Sequence, residues 1–230
     1  AVAIAFAREG ADVAINYLPE EQEDGEVTGE LIGAAGRTAA LIPLDIRSKE
    51  ACVEVVDHTV DELGGLDIVV NNAAYQMAIK GLADLSEENL VRTFTTNVFA
   101  TFWITQAALS HLRPGASIIN TTSIQGYDPA TGLMPYAATK AALVSFTQSL
   151  SRELAPTGVR VNSVAPGPIW TPLIPATMPA DKVNDFGQGV PLGRAGQPAE
   201  LAATYVFLAS DDGSYITGEN LGVTGGGLTA

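Results

Sequence analysis

Tyr136 and Lys140 stand four residues apart in a stretch with helical character, so one helix face carries both. A free tyrosine titrates near about 10, too high for a good acid or base at neutral pH. An ammonium beside it favours the phenolate and lowers that value. A tyrosine tuned in this way can exchange a proton with a substrate oxygen while a hydride moves at the attached carbon. Ser123, at the end of a β-rich run, could hold that oxygen in place. Tyr-x-x-x-Lys alone arises by chance in many chains, and its bland counterpart is an exposed helical pair contributing a few tenths of a kcal/mol. Its weight depends on what surrounds it.

The elements that must position these groups alternate between short Val/Ile-rich runs and longer helical stretches. Strands are predicted at Asp12 to Tyr17, Thr38 to Pro43, Leu66 to Asn71, Ser117 to Thr122, Val159 to Ala165 and Asn220 to Val223. Most lack polar alternation, as strands covered on both faces do. Helices are expected from a Ser48 cap to Leu63, ended by Gly64-Gly65, and from a Ser86 cap to about His111. Others run from about Pro135 to Ala155 and from Pro198 to Leu208. Strand–helix–strand repetition implies a doubly wound parallel sheet, an α/β fold in a single domain over residues 1–230. The Pro- and Gly-rich segment 168–196 breaks the rhythm and predicts a substrate lid.

Ligands of such sheets bind beyond the carboxyl ends of the strands. Four strand ends carry small, polar or turn-forming residues. They are Asp45, then Asn71-Asn72-Ala73-Ala74, then Thr121-Thr122-Ser123, then Pro166-Gly167. Tyr75, Gln76, Met77, Gln125 and Tyr127 come after two of these ends and are candidates to line the substrate pocket.

Bulk properties narrow the partners. A net charge of −14 repels nucleic acid and anionic lipid, so neither a nucleic acid nor a membrane partner is expected. Cys52 is the only cysteine, which excludes an intrachain disulfide and fits the reducing cytoplasm. One cysteine with His58 and His111 makes no metal cluster, and no apolar run is long enough to span a bilayer.

Together these residues resemble the short-chain dehydrogenase/reductase family over nearly the whole chain. Asn71-Asn72-Ala73-Ala74 is similar to the family's Asn-Asn-Ala-Gly, with Ala74 in place of the glycine. Ser123 and Tyr136-Ala137-Ala138-Thr139-Lys140 match its catalytic serine and Tyr-x-x-x-Lys, and Asn97 matches the asparagine of its tetrad. Arg160-Val161-Asn162, Pro166-Gly167, Thr171 and the tail from Tyr215 to Gly227 match its later segments.

The resemblance implies a Rossmann-type fold and a hydride transfer between NAD or NADP and a small alcohol or carbonyl substrate. In it Tyr136 is the general acid/base, Ser123 orients the substrate carbonyl, and Lys140 tunes Tyr136 and holds the nicotinamide ribose. Asn97 helps hold a water in a proton relay. Asp45 and Ile46 lie at the adenine, and Asn72, Ala73 and Ala74 near the adenosine ribose. Pro166, Gly167, Ile169 and Thr171 cradle the nicotinamide. A homotetramer built on the long helices and the last strand is also implied.

Two departures bear on the cofactor. The family's first strand and glycine-rich turn have no counterpart, so the natural protein is expected to carry a segment ahead of Ala1, and the sheet is expected to have a gap. Where the family reads the 2′ position of the cofactor, Asn16 and Tyr17 end the strand and are neither acidic nor basic. The acidic run Glu20, Glu21, Glu23, Asp24, Glu26 opposes a phosphate and tilts the expectation towards NAD. The alternative function is a non-catalytic dinucleotide-binding member of the same fold. A nucleotide-sugar epimerase would need a larger C-terminal domain, and a methyltransferase would not need Tyr136 and Lys140 in register with Ser123.

Overall fold

Ser48 and Ser86 start their helices as their hydroxyls lead one to expect. In the computed structural model, which describes residues 1–177 and 183–227, Ser48 accepts from the Ala51 amide and Ser86 from the Asn89 amide, each at 3.1 Å. Such caps contribute about 1 kcal/mol apiece. They open α3 (Lys49–Leu63) and α4 (Glu87–Phe94). The other helices are α1 (Val2–Arg8), α2 (Gln22–Ala34), α5 (Ala100–Ala108), α6 (Met134–Leu154), α7 (Leu173–Thr177) and α8 (Pro198–Ala209).

The strands are β1 (Val13–Tyr17), β2 (Ala39–Pro43), β3 (Ile68–Asn71), β4 (Ser117–Thr121), β5 (Arg160–Pro166) and β6 (Asn220–Val223), close to the predicted runs. All ladders are parallel. They form two sheets, β1-β2 and β3-β4-β5-β6. The interruption expected from the sequence therefore falls between β1 and β3. Strand order runs outward from β1 to β2 and, after α3, outward again from β3 to β6. This reversal is the switch point where doubly wound sheets bind ligands.

Helices cover both faces. α3, α5 and α6 pack on one, and α1, α2 and α8 on the other. On the first face Ile118 and Val161, both 0 % exposed, meet Ala108 and Leu150. On the second, Ile119 and Val164 meet Phe6, Leu201 and Tyr205, with Val13, Ile68 and Val70 packed against them. Each such aliphatic side chain stabilises the fold by about 1.5–3 kcal/mol through burial. Among the described residues no helix is long and apolar enough to cross a membrane.

One expected element differs. The helix predicted from Ser86 to about His111 is split by a π-helical turn at Thr95–Phe99 and leaves helical geometry after Ala108. A π turn inserts one extra residue and rotates the rest of the helix, a local change that hydrophobic period does not report. Its consequence is the placement of Asn97.

Candidate active site

The inner stripe of α6 runs through Ala137, Lys140, Leu143, Thr147, Leu150 and Leu154, at helical spacing. Lys140 lies in that stripe, so helix packing carries its ammonium against the sheet, where it is 2 % exposed. Nζ donates to the Thr121 carbonyl at the end of β4 at 2.6 Å. Burial pushes Lys140 down to about 7. One turn earlier, Tyr136 is half-buried, with Lys140 Nζ 5.4 Å from its ring centre. Burial pushes the phenol up to about 12, while the neighbouring Ser123 hydroxyl acts to lower it. The lowering expected from the ammonium is not found, because burial dominates the phenol and takes the charge from the lysine as well.

Ser123 opens a 3-10 turn at Ile124–Gly126, and its Oγ accepts from the Gln125 amide at 3.1 Å. The backbone thus takes one lone pair and leaves the Ser123 proton free to donate. The turn sits against α6 because residue 126 is glycine. A Cβ there would come within 3.1 Å of the Lys140 carbonyl carbon and 3.2 Å of the Ala141 nitrogen. Gly126 was missed in the sequence, where its spacing from Ser123 was the available signal.

Asn97, 1 % exposed, is turned inward by the π turn. Its Oδ1 accepts from the Tyr75 amide at 2.7 Å, and its Nδ2 donates to the Tyr75 carbonyl at 2.9 Å and to Thr139 Oγ1 at 3.0 Å. Asn97 therefore ties the loop after β3 to α6 between Tyr136 and Lys140. Both ends of its side chain are engaged by protein groups, and its backbone carbonyl accepts from the Thr101 hydroxyl.

The loop after β3 divides its two asparagines. Asn71 is buried and donates to Thr105 and Asn120, while Asn72 is exposed at the rim beside Ala73 and Ala74. Pro166 and Gly167 end β5 at the same rim. A Cβ on Gly167 would come within 2.7 Å of Thr224 Cα, so only glycine lets the C-terminal tail cross here. Beyond it, Ile169 bridges Gly196, and the Gly196 amide donates to the Pro168 carbonyl at 2.9 Å, which clasps the two ends of the 168–196 excursion. Thr171 precedes α7, where its carbonyl accepts from Ile174. Gln76 is buried and reaches across to Thr177 Oγ1 at 2.8 Å. The stretch 178–182 of the expected lid lies outside the described residues.

At β1 and β2 the expected cofactor residues have internal partners. Asn16 donates to the Ile42 and Leu44 carbonyls, and the Tyr17 hydroxyl donates to Gln22. The Asp45 carboxylate is gripped by Arg47, which holds it below the usual range, and Ile46 is buried. Tyr127, a pocket candidate, bonds instead to Asn220 on β6. The chemistry of the β4–α6 corner is thus a convergence of two O–H donors, Ser123 and Tyr136, beside a buried lysine.

Comparison with known proteins sets the chain among oxidoreductases. A family profile described as Enoyl-(Acyl carrier protein) reductase matches residues 1–228. The chain is 54 % identical over 234 residues to an oxidoreductase of Bacillus subtilis, YhxD, covering 100 % of this chain and 78 % of that one. A Burkholderia cenocepacia short chain dehydrogenase in complex with NADP superposes with a TM-score of 0.89 at 36 % identity, covering 97 % and 91 % of the two chains. A Brucella melitensis short-chain dehydrogenase/reductase described as a glucose/ribitol dehydrogenase superposes with a TM-score of 0.90 at 34 % identity, covering 100 % and 91 %. The tilt towards NAD finds no support among them, since the cofactor in the Burkholderia complex is NADP.

Proposed function

The chain belongs to the short-chain dehydrogenase/reductase family, and from that premise we propose that it interconverts a small alcohol and its carbonyl compound with NAD(P), using Tyr136 as the proton-exchanging group. The observation that carries the reading is the pair of hydroxyls, Ser123 and Tyr136, converging beside Lys140 at the carboxyl end of β4.

The rim suits a dinucleotide. Asn72 has an exposed amide, Lys140 Nζ has protons beyond the one given to Thr121, and Ala73, Ala74 and Gly167 leave the backbone approachable. The nicotinamide, when bound, supplies or accepts the hydride. In reduction, the Ser123 O–H donates to the carbonyl oxygen and polarises it. Tyr136, held protonated by burial, gives its proton to that oxygen as negative charge develops there. In oxidation the proton returns along the same path. Lys140 places positive charge under the corner when protonated. Asn97 acts by holding the Tyr75 backbone and Thr139, which keeps the pocket loop in register with α6. The 168–196 excursion, clasped at its base and tied through Gln76 to Thr177, serves as the lid.

Exposed apolar side chains along α4, the π turn and α5 and just after it, Val91, Phe99, Phe102 and Leu109, support a further element of the reading, that this face is covered by another copy of the chain in the cytoplasm. Size-exclusion chromatography with light scattering tests it, a monomer counting against it.

Titration with NADPH and NADH, followed by nicotinamide fluorescence, tests the cofactor. A panel of polyols, sugars, small aldehydes and ketones, run beside Tyr136→Phe, tests the chemistry. Turnover of a panel member that disappears in Tyr136→Phe is expected. Cofactor binding with no difference between the two proteins would favour a non-catalytic binding role.

A further inference from the structure

Tyr205 lies on α8, on the opposite face of the sheet from Tyr136 and Lys140, and is 1 % exposed among Phe6, Ile119, Val164 and Leu208. A phenol in so apolar a cluster needs a partner for its hydroxyl. That partner is Thr121 Oγ1, at 2.8 Å. Thr121 also donates to Asn72 Oδ1 at 3.1 Å, across the register in which Asn71 faces Asn120 on β3 and β4. Since Thr121 has one hydroxyl proton and gives it to Asn72, the proton between Tyr205 and Thr121 must come from Tyr205. The direction of the chain is therefore settled by its far end. The same Thr121, through its carbonyl, accepts from Lys140 Nζ at 2.6 Å. Burial pushes the Tyr205 phenol up to about 12 although the Thr121 hydroxyl acts to lower it, so it remains a donor at working pH.

We propose that Tyr205 is a positioning residue for the cofactor site, acting through a directed relay in which Tyr205 donates to Thr121 and Thr121 donates to Asn72. With its oxygen held by Thr121, the Asn72 amide turns its NH2 towards the rim, where it can donate to a ribose hydroxyl or phosphate oxygen of the bound dinucleotide. The anchor also steadies the last residue of β4, whose carbonyl holds Lys140. The functional consequence rests on the cofactor site proposed above, whereas the relay itself does not.

The experiment compares wild type with Tyr205→Phe, Thr121→Val and the double variant. Phenylalanine keeps the ring in the core and removes only the hydroxyl, and Thr121→Val tests the relay from its middle should the first variant fold poorly. The first readout is the side-chain NH2 resonance pair of Asn72, identified by its loss in Asn72→Asp. It is expected to shift in both single variants and to move no further in the double. The second is the Kd for NADPH, expected to rise by about fivefold in each single variant, as for one lost hydrogen bond, and no further in the double. The KM for the cofactor should rise with Kd while kcat changes less. An Asn72 pair that does not move in Tyr205→Phe, or a double variant whose Kd is the product of the single effects, would overturn the relay. If wild type binds neither NADPH nor NADH while the Asn72 pair still moves, the cofactor reading fails and the relay stands.

Discussion

At the carboxyl ends of β1 and β2 the polar groups bind one another. The Asn16 side-chain amide donates to the Ile42 carbonyl of β2 and to the Leu44 carbonyl just beyond it, the Tyr17 hydroxyl goes to Gln22, and Arg47 closes on Asp45. In the turn beyond β4 and on the facing part of α6 the pairing is less complete. Ser123 keeps its proton, Tyr136 has Ser123 for its polar neighbour, and the buried Lys140 has a single carbonyl partner among the described residues. Polar groups buried with few partners cost stability, and a fold that carries them gains it back when something binds there. A rim whose groups are paired already is scaffolding first. The contrast separates the corner proposed for the chemistry from the rim proposed to seat the ligand, and it can be broken at either end.

The largest effect expected is on turnover. Tyr136→Phe removes the hydroxyl proposed to exchange the proton and should lower kcat by about 10²- to 10⁴-fold, with NADPH affinity changed only a few-fold in a fluorescence titration. A loss below about tenfold would mean that the β4 corner is no more chemical than the β1–β2 rim.

Next comes the cost of burying Lys140. Its folded value, about 7, lies below its ordinary value of 10.5. Between these values the unfolded chain holds a proton that the folded chain has released, so stability rises with pH across that window. Lys140→Met removes this dependence. Unfolding free energies from urea titrations at pH 6 to 10 should therefore climb in wild type relative to the variant, by about 1.4 kcal/mol for each pH unit inside that window. Parallel curves would show that Lys140 is not desolvated as the packing requires.

Asn97→Ala leaves Ser123, Tyr136 and Lys140 in place and removes a tie beside them. With the Tyr75 amide and carbonyl and the Thr139 hydroxyl deprived of partners, unfolding free energy should drop by about 1–3 kcal/mol in denaturant titration. KM should rise more than kcat falls, because the loop after β3 loses its tie to α6.

The smallest effect belongs to the paired rim. Arg47→Ala should cost less than about 1 kcal/mol at neutral pH, since both partners are partly exposed and screened by solvent. Arg47 holds the Asp45 carboxyl below its usual range, so that contribution is present above about pH 4 and fades as pH falls through the lower folded value. The difference between wild type and variant should vanish in acid. A change of more than about tenfold in the ratio of NADPH to NADH affinity would instead show that Arg47 reads the 2′ position, and the rim would no longer be mere scaffolding.

Much of this molecule follows from local chemistry. Most of the six strands are legible as apolar runs because a sheet covered on both faces needs no polar alternation, and Ser48, Gly64 and Ser86 mark helix ends through backbone groups only a few residues away. The Tyr136–Lys140 pairing is likewise a property of helical spacing. The π turn at Thr95–Phe99 was not legible, since its residues suit an α-helix equally well, and only tertiary contact with Tyr75 and Thr139 rewards the extra residue. The internal use of Asn16, Tyr17 and Asp45 was hidden for a related reason, as their partners lie on other elements or depend on how a loop closes.

The sequence by itself determined the alternation of strands and helices, the strand ends that meet at one rim, and the residue types gathered there. Tertiary structure alone decided which of those residues are free to act. Local spacing sets which groups a short element presents, but a group's protonation and its spare hydrogen bonds depend on what packs against it from distant parts of the chain. The burial of Lys140 by the sheet and the reach of Tyr205 through Thr121 to Asn72 are both of that kind.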